Sequence, residues 1–125
     1  MKNTAIVQNF YAHLAKGDRE NAYKLLADDF TLKQADSLPY GGGYRGPEAL
    51  VDFFKKFNAY WQQFETLTTA FYECENKVFA VSTIQGKNVL DKLIETEMIQ
   101  IYHVDNQKIV SAQPFYFDTA LLLKR

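Results

Sequence analysis

The sequence predicts an α+β fold, in which helices come first and a mainly antiparallel sheet follows. Apolar residues recur at helical spacing up to about residue 60 and then alternate every second residue. Between the two regimes, residues 38–57 read LPYGGGYRGPEALVDFFKKF, a glycine-rich loop that leads directly into an amphipathic segment. Amphipathic helices bury their apolar stripe against a neighbouring layer. We therefore expect three helices in the N-terminal half, packed on a strongly curved sheet that forms a cone with an internal pocket.

The three helices have recognisable ends. Gly17 follows the first helix as a C-terminal glycine would, and Asp18 can cap the second. Gly46 can cap the third helix, with Pro47 in its first position, where the missing N–H of proline is not needed. The predicted helices cover residues 4–16, 19–26 and 47–60.

The strands follow from alternation and from turn residues. Gly86 opens the run Gly-Lys-Asn, which predicts a turn by composition, and residues 104–107 predict a hairpin connection. Pro114 predicts an edge strand or a bulge, because proline cannot donate to a ladder. The predicted strands cover residues 30–34, 63–72, 77–86, 92–104 and 108–117, and a last short turn covers residues 119–123.

Composition narrows the class of protein. A chain of 125 residues has the size of one domain, so we expect residues 1–125 to form a single domain. Fourteen basic residues against 15 acidic ones leave a formal charge of -1. The chain therefore lacks the net positive charge that attracts nucleic acid. Cys74 is the only cysteine, which fits a reducing compartment. Without a signal peptide or an apolar run of bilayer length, we expect a cytoplasmic protein with no membrane partner.

Aromatic residues exceed what a core of this size usually needs. The chain contains 10 Phe, 8 Tyr and 1 Trp. Aromatic side chains in excess of those needed to fill the core are typical of a lined cavity or of a subunit interface. The composition therefore favours a pocket for a small, largely apolar molecule, an interface, or both.

An ordered set of motifs resembles a known family. The segments AKGD, LLADDFTL, LPYGGGYRGPEALVDFF, IQIYHVDNQKIV and PFYFDTALLL occur in this order over nearly the whole chain. Together they resemble the SnoaL-like branch of the nuclear transport factor 2-like superfamily. The resemblance implies a cone-shaped α+β barrel with a deep pocket, often in a homodimer joined through the open face of the sheet. Members of that superfamily include polyketide cyclases and ketosteroid isomerases, and fold alone leaves the chemistry open.

The isomerase resemblance implies three catalytic positions, and none holds a residue suited to its role. The tyrosine position on the first helix falls on Phe10, the general base falls on or near Gln34, and the protonated aspartate falls on Ile99. None of the three can do the corresponding proton chemistry. A shift of two residues would bring Asp36 near the base position.

Glu97 is the main carboxylate candidate for acid-base chemistry. If Ile99 points inward, strand alternation places Glu95, Glu97, Ile101 and His103 on the same face. A carboxylate enclosed among aromatic rings has a raised pKa and can act as a general acid or base. The alternative is that Glu95 and Glu97 are solvated or paired with a cation.

The two histidines are further candidates. His13 lies on the first helix, three residues after Phe10, and could border the pocket or simply pack on the helix flank. His103 lies near a strand end. Two histidines and one cysteine at these spacings predict no metal site, and the glycines at 41–43 fit no phosphate-binding or dinucleotide motif, so no cofactor is expected.

Aromatic residues near the loop and the third helix are candidates for ligand contact. Tyr40 and Tyr44 flank the glycines and either line the mouth of the pocket or pack against the helix. Phe54 faces the expected pocket, and Trp61 either forms its wall or belongs to the core or a dimer contact.

The sequence therefore favours a protein that binds a small, largely apolar molecule in an aromatic-lined pocket. Two alternatives stay open at this point. One is a cyclase-like or isomerase-like enzyme that uses Glu97, Asp36 or His13 as the acid-base group. The other is a dimerisation module without a ligand. The full set of candidate ligand-binding residues is Phe10, His13, Tyr40, Tyr44, Phe54, Trp61, Glu97 and Ile99.

Overall fold

The computed structural model describes residues 2–123, and within them it contains three α-helices, six strands and one 3-10 turn. In chain order these are α1 (Asn3–Ala15), α2 (Arg19–Tyr23), β1 (Leu26–Gln34), β2 (Gly42–Arg45), α3 (Ala49–Tyr60), β3 (Trp61–Cys74), β4 (Lys77–Asn88), β5 (Leu93–Asp105), β6 (Lys108–Tyr116) and the turn Thr119–Leu122.

The strands form one curled sheet in the order β2-β1-β6-β5-β4-β3. Neighbouring strands pair antiparallel except β1 and β6, which run parallel, with Leu26 opposite Ile109 and Leu32 opposite Ala112. The helices cover one face of the sheet, which we call the inner face, and the opposite face is the outer face. The predicted α+β cone is confirmed.

The ends of the first two helices follow their capping residues. Gly17 has φ +74°, a left-handed conformation that glycine adopts without strain, as predicted for the end of α1. The Asp18 side chain accepts a hydrogen bond from the Asn21 backbone N–H at 3.2 Å and so caps α2.

The second helix is shorter than its apolar spacing predicts. It ends at Tyr23, and the chain enters β1 at Leu26, where a helix is expected from sequence. The Leu25 carbonyl accepts a hydrogen bond from the Ile109 N–H at 2.8 Å. Pairing with β6 therefore captures this segment, since tertiary contacts override local helix propensity.

The glycine-rich loop contains a short strand, β2, that the sequence does not predict. Gly46 has φ +82°, and its N–H donates to the Phe30 carbonyl at 2.6 Å, which ties the loop to β1. The predicted cap at Gly46 is wrong, because residues 46–48 form a turn and α3 begins at Ala49.

Gly86 lies inside β4 and does not form the predicted turn. A Cβ atom at this position would meet the Trp61 ring at 2.9 Å and the Gln63 carbonyl oxygen at 2.7 Å. Glycine therefore allows β3 and its indole to approach β4 closely. The turn comes later, where Asn88 Oδ1 accepts hydrogen bonds from the backbone N–H groups of Leu90 and Lys92.

Pro114 lies on β6, which is an interior strand of the sheet, but the proline itself occupies a local edge, because β6 has no partner on its β1 side there. It pairs with Gln100 of β5, and the pairs between β6 and β1 end at Ala112. The sheet's register shift near this strand lies between His103 and Val104 instead of at the proline. Proline is tolerated here because the ladder to β1 has already ended.

The core lies between the helices and the inner face. On β4, Val78 and Ala80 face the core and have no exposed surface. Thr4 at the start of α1 donates to the Glu73 carboxylate from both its N–H and its hydroxyl, at 2.9 and 2.6 Å, and these bonds fasten α1 to β3. None of the helices in the described part of the chain is long and apolar enough to span a bilayer.

Candidate ligand-binding cavity

A cavity of about 680 Å³ lies between α1, α3 and the inner face of the sheet. About half of its lining residues are aromatic, and most of the others are apolar. The residues that line it are Phe10, Tyr11, Leu14, Ala15, Phe30, Leu32, Gln34, Leu50, Phe53, Phe54, Phe57, Phe64, Glu65, Thr66, Met98, Gln100, Tyr102, Ala112 and Tyr116. A volume of this size suits a small organic molecule.

One polar group in the cavity joins α1 to β5. The hydroxyls of Tyr102 and Tyr11 are 2.9 Å apart and hydrogen-bonded, and Gln100 Nε2 lies 3.5 Å from the Tyr11 hydroxyl. Burial raises the pKa of Tyr11 to about 12, and the hydrogen bond from Tyr102 opposes this effect only in part. Burial, together with the neighbouring Tyr11, also raises the pKa of Tyr102 well above its ordinary value. Both phenols are therefore neutral hydrogen-bonding groups at physiological pH.

A second polar group lies on β1 and β6. The Tyr116 hydroxyl donates to Gln34 Oε1 at 3.3 Å and also shares a hydrogen bond with the Tyr40 hydroxyl. Trp61 Nε1 donates to the same Tyr40 hydroxyl at 3.3 Å. Burial raises the pKa of Tyr116 and that of Tyr40, so these groups also stay neutral.

Charged groups are scarce around the cavity. Among the described residues that line it, only Glu65 has a carboxylate, and its residue is exposed. None of these lining residues is a histidine. Within residues 2–123 no group of three or more His, Cys, Asp or Glu residues could hold a metal ion. The lining offers hydrogen bonds and apolar contact, with no buried acid-base group.

The predicted inward orientation of Ile99 is wrong. Ile99 is 41% exposed on the outer face, whereas Met98, Gln100 and Tyr102 line the cavity. Glu97 is exposed on the outer face as well, beside a separate concavity of about 420 Å³. Side chains alternate along β5 as predicted, but the two faces are exchanged. The Glu97 carboxylate therefore cannot reach the cavity.

The other acid-base candidates also lie away from the cavity. His13 Nδ1 is 3.8 Å from the Asp18 carboxylate on the flank of α1, and His13 does not line the cavity. Asp36 is exposed in the turn after β1. His103 lies on the outer face, with Nε2 2.8 Å from Asn76 Nδ2.

The aromatic candidates divide into two groups. Phe10 and Phe54 line the cavity as predicted, and the Arg19 guanidinium lies 5.6 Å from the centre of the Phe54 ring. Tyr40, Tyr44 and Trp61 are buried and do not line the cavity. Their rings pack against the inward side of α3, which is the packing alternative that the sequence left open.

Sequence reasoning missed most of the cavity's polar groups. Tyr11 is adjacent to Phe10 on the first helix. Tyr102 and Tyr116 lie on strands, and no local sequence pattern shows which side of those strands faces the cavity. The phase predicted for β5 from an inward Ile99 puts Gln100 on the opposite face. The acidic pair Glu95 and Glu97 does carry a usable signal, because alternate charges mark the solvent-facing side of a strand.

Helices that cover the inner face of a curled six-stranded sheet, with a cavity between them, define a protein of the nuclear transport factor 2-like class. The family model of the SnoaL-like domain matches residues 7–112, and the chain belongs to this family. The predicted resemblance is confirmed. No curated protein matches the sequence.

Solved structures of similar proteins share the whole fold. An NTF2-like protein from Burkholderia thailandensis E264 has a TM-score of 0.88 at 22% identity, over 98% of this chain and 95% of that chain. A protein of unknown function with a cystatin-like fold from Xanthomonas campestris has a TM-score of 0.86 at 15% identity, over 97% and 95%. TerC, co-crystallised with polyporic acid, has a TM-score of 0.85 at 14% identity, over 96% and 97%. At these identities the likeness shows the fold.

Proposed function

We propose that the protein binds a small, largely apolar molecule in the cavity between the helices and the inner face. The observation that carries the proposal is the lining itself, which is mainly aromatic and aliphatic with a few neutral polar groups. Binding sites for small organic molecules have this composition, because apolar walls supply affinity and a few polar groups supply orientation. That TerC was co-crystallised with polyporic acid supports the use of this fold for an aromatic guest.

The enzyme alternative has less support. It needs Glu97, Asp36 or His13 as the acid-base group, and all three side chains lie outside the cavity. A general acid or base has to reach the atom whose proton it transfers. Gln34, at the base position that the isomerase resemblance implies, lines the cavity but cannot take a proton at neutral pH.

Titration calorimetry with fluorene and with polyporic acid tests the proposal. Met98→Trp should abolish binding by filling the cavity, whereas Ile99→Trp should bind as the wild type does. The two substitutions add the same side chain to adjacent residues of β5 on opposite faces. Circular dichroism and thermal melts show whether each variant is folded, and Ala112→Leu provides a second, smaller obstruction.

Two results would contradict the proposal. One is that neither probe binds the folded wild-type protein. The other is that a folded Met98→Trp variant binds as tightly as Ile99→Trp, which would place the guest outside the cavity.

We also propose a homodimer joined through the outer face of the sheet. Apolar residues cluster there in register: Val81 lies opposite Ile99, and Ile99 lies opposite Phe115. Ile99 is 41% exposed and Phe115 is 49% exposed. A contiguous exposed apolar patch on a sheet is typical of a protein interface.

Analytical ultracentrifugation tests the dimer. Ile99→Glu should raise the dissociation constant at least about a hundredfold, because it buries a charge at the centre of the patch. Leu90→Glu is the matched control, since Leu90 is exposed in the turn between β4 and β5. A monomeric wild-type protein, or equal effects of the two variants, would contradict this interface. A dimer that binds neither probe would favour the dimerisation module without a ligand.

The same proposal treats residues 1–125 as one domain and places the protein in the cytoplasm. Cys74 is exposed and unpaired within the described residues, and an exposed thiol suits a reducing compartment. Cell fractionation tests this location, and recovery of the protein in an oxidising compartment would contradict it.

A further inference from the structure

A chain of hydrogen bonds leads from the buried core to the cavity wall. It begins at Trp61 Nε1, passes through the hydroxyls of Tyr40 and Tyr116, and ends at the side chain of Gln34. Tyr40 has no exposed surface, and Gln34 is only 4% exposed. The chain therefore connects a fixed indole to an amide that lines the cavity.

The indole sets the direction of the whole chain. An indole N–H can only donate, so the Tyr40 oxygen accepts from Trp61. The Tyr40 proton then goes to the Tyr116 oxygen, and the Tyr116 proton goes to Gln34 Oε1. The Tyr116 hydroxyl has a single proton, which goes to Gln34 Oε1, so it can take part in the bond with Tyr40 only as the acceptor. In the reverse direction the Gln34 oxygen would lose this donor, which is costly for a buried polar group.

The direction of the chain decides which end of the Gln34 amide faces the cavity. Because Oε1 accepts from Tyr116, the Nε2 group is the remaining hydrogen-bond donor of a side chain that lines the cavity. Within residues 2–123, the side-chain hydrogen bond of Gln34 is the one that Oε1 accepts, and the residue is only 4% exposed. Gln34 is thus a donor held in place by its neighbours.

We propose that Gln34 Nε2 binds a carbonyl oxygen of the ligand, and that the site prefers ketones and related acceptors over alcohols of the same shape. This inference rests on the proposed function and specifies its ligand class. A carbonyl oxygen only accepts. A hydroxyl in the same place could accept from Nε2, but its own proton would then face an apolar wall, which is unfavourable.

Three probes of one shape test the preference. Fluorene, 9-fluorenone and 9-fluorenol share the same rings and differ only at one carbon, which bears hydrogens, a carbonyl or a hydroxyl. Calorimetry on the wild-type protein should show fluorenone binding about three to ten times more tightly than fluorene, as one hydrogen bond supplies, and also more tightly than fluorenol.

Substitutions in the hydrogen-bonded series show whether the preference for fluorenone depends on Gln34. Gln34→Leu should reduce the affinity for fluorenone to that for fluorene, and Gln34→Glu should favour fluorenol over fluorenone, because a carboxyl group can accept the hydroxyl proton. Tyr116→Phe should bring the affinities for fluorenone and fluorenol close together, since the amide is then free to turn. Tyr44→Phe is the control and should keep the wild-type ratio, because its hydroxyl bonds to the Tyr40 backbone carbonyl outside the chain.

The outcomes separate the two proposals. Equal binding of the three probes to the wild type would overturn the carbonyl preference and leave the proposed binding function in place. A fluorenone preference that survives in a folded Gln34→Leu variant would overturn the role of Gln34, since another group such as Tyr11 would then hold the carbonyl. Failure of all three probes to bind would overturn both proposals.

Discussion

At the scale of single residues, the phase of β5 decides which side chains reach the cavity. Met98 and Tyr102 line it, whereas Glu97 and Ile99 face outward. The alternation along this strand could be predicted from sequence, but its phase was tied to an isomerase position on Ile99. A change of one residue moves every side chain of a strand to the other face. The exposed pair Glu95 and Glu97 would have fixed the correct phase.

Hydrogen-bond partners could not be predicted in the same way. Gln34 was identified only as a residue that cannot act as a base. Its place at the end of a chain from Trp61 depends on contacts between β1, β6 and the start of β3, which are distant in sequence. The role of such a residue becomes visible only when the elements are packed.

The buried phenols predict a loss of stability in alkali. The pKa of Tyr11 in the folded protein is about 12, above its ordinary value of 10, and that of Tyr102 is raised as well. A raised folded-state pKa contributes stability fully below about pH 10, and this is lost as pH rises through 10 to 12. The unfolding free energy should fall there by about 1.4 kcal/mol per pH unit for each such tyrosine.

Urea melts at a series of pH values from 8 to 12 measure this dependence, and Tyr11→Phe serves as the comparison. The variant should show a shallower decline above pH 10 than the wild type. Identical slopes for both proteins would show that the Tyr11 hydroxyl is not buried in the folded state.

At the scale of elements, α3 contributes two adjacent rings with different environments. Phe53 is 7% exposed and contacts the rings of Tyr40 and Tyr44, whereas Phe54 is only partly buried at the cavity wall. Phe53→Ala should therefore cost about 3–5 kcal/mol, and Phe54→Ala should cost less, about 1–2 kcal/mol. Denaturant unfolding compares the two variants, and a larger cost for Phe54→Ala would contradict the orientation of α3.

Gly86 lies where β3 and β4 approach each other closely. Any added Cβ meets the Trp61 ring and the Gln63 carbonyl oxygen, so Gly86→Ala should destabilise the protein by about 1–3 kcal/mol. Gly43→Ala is a suitable control, since nothing lies within 4 Å of a Cβ built at Gly43. Thermal or denaturant melts measure both, and equal stability of the two variants would contradict the packing of β3 on β4.

At the scale of the whole molecule, the order of helices and strands could be predicted because the apolar period changes near residue 60. The parallel pairing of β1 with β6 and the short strand β2 could not, since neither has a local pattern of its own. The excess of aromatic residues correctly indicated a lined cavity, because aromatic side chains that the core does not need are available to line a cavity wall.

Methyl NMR of methionine tests the central claim, that a small apolar molecule enters the cavity. The chain has two methionines, Met1 and Met98, and Met98 lines the cavity, so its labelled methyl group reports on the site directly. Met98→Leu assigns the signal. On titration with fluorene, we predict that the Met98 signal moves to a saturating position as a ring packs against it. A Met98 signal that stays in place throughout the titration would contradict the account.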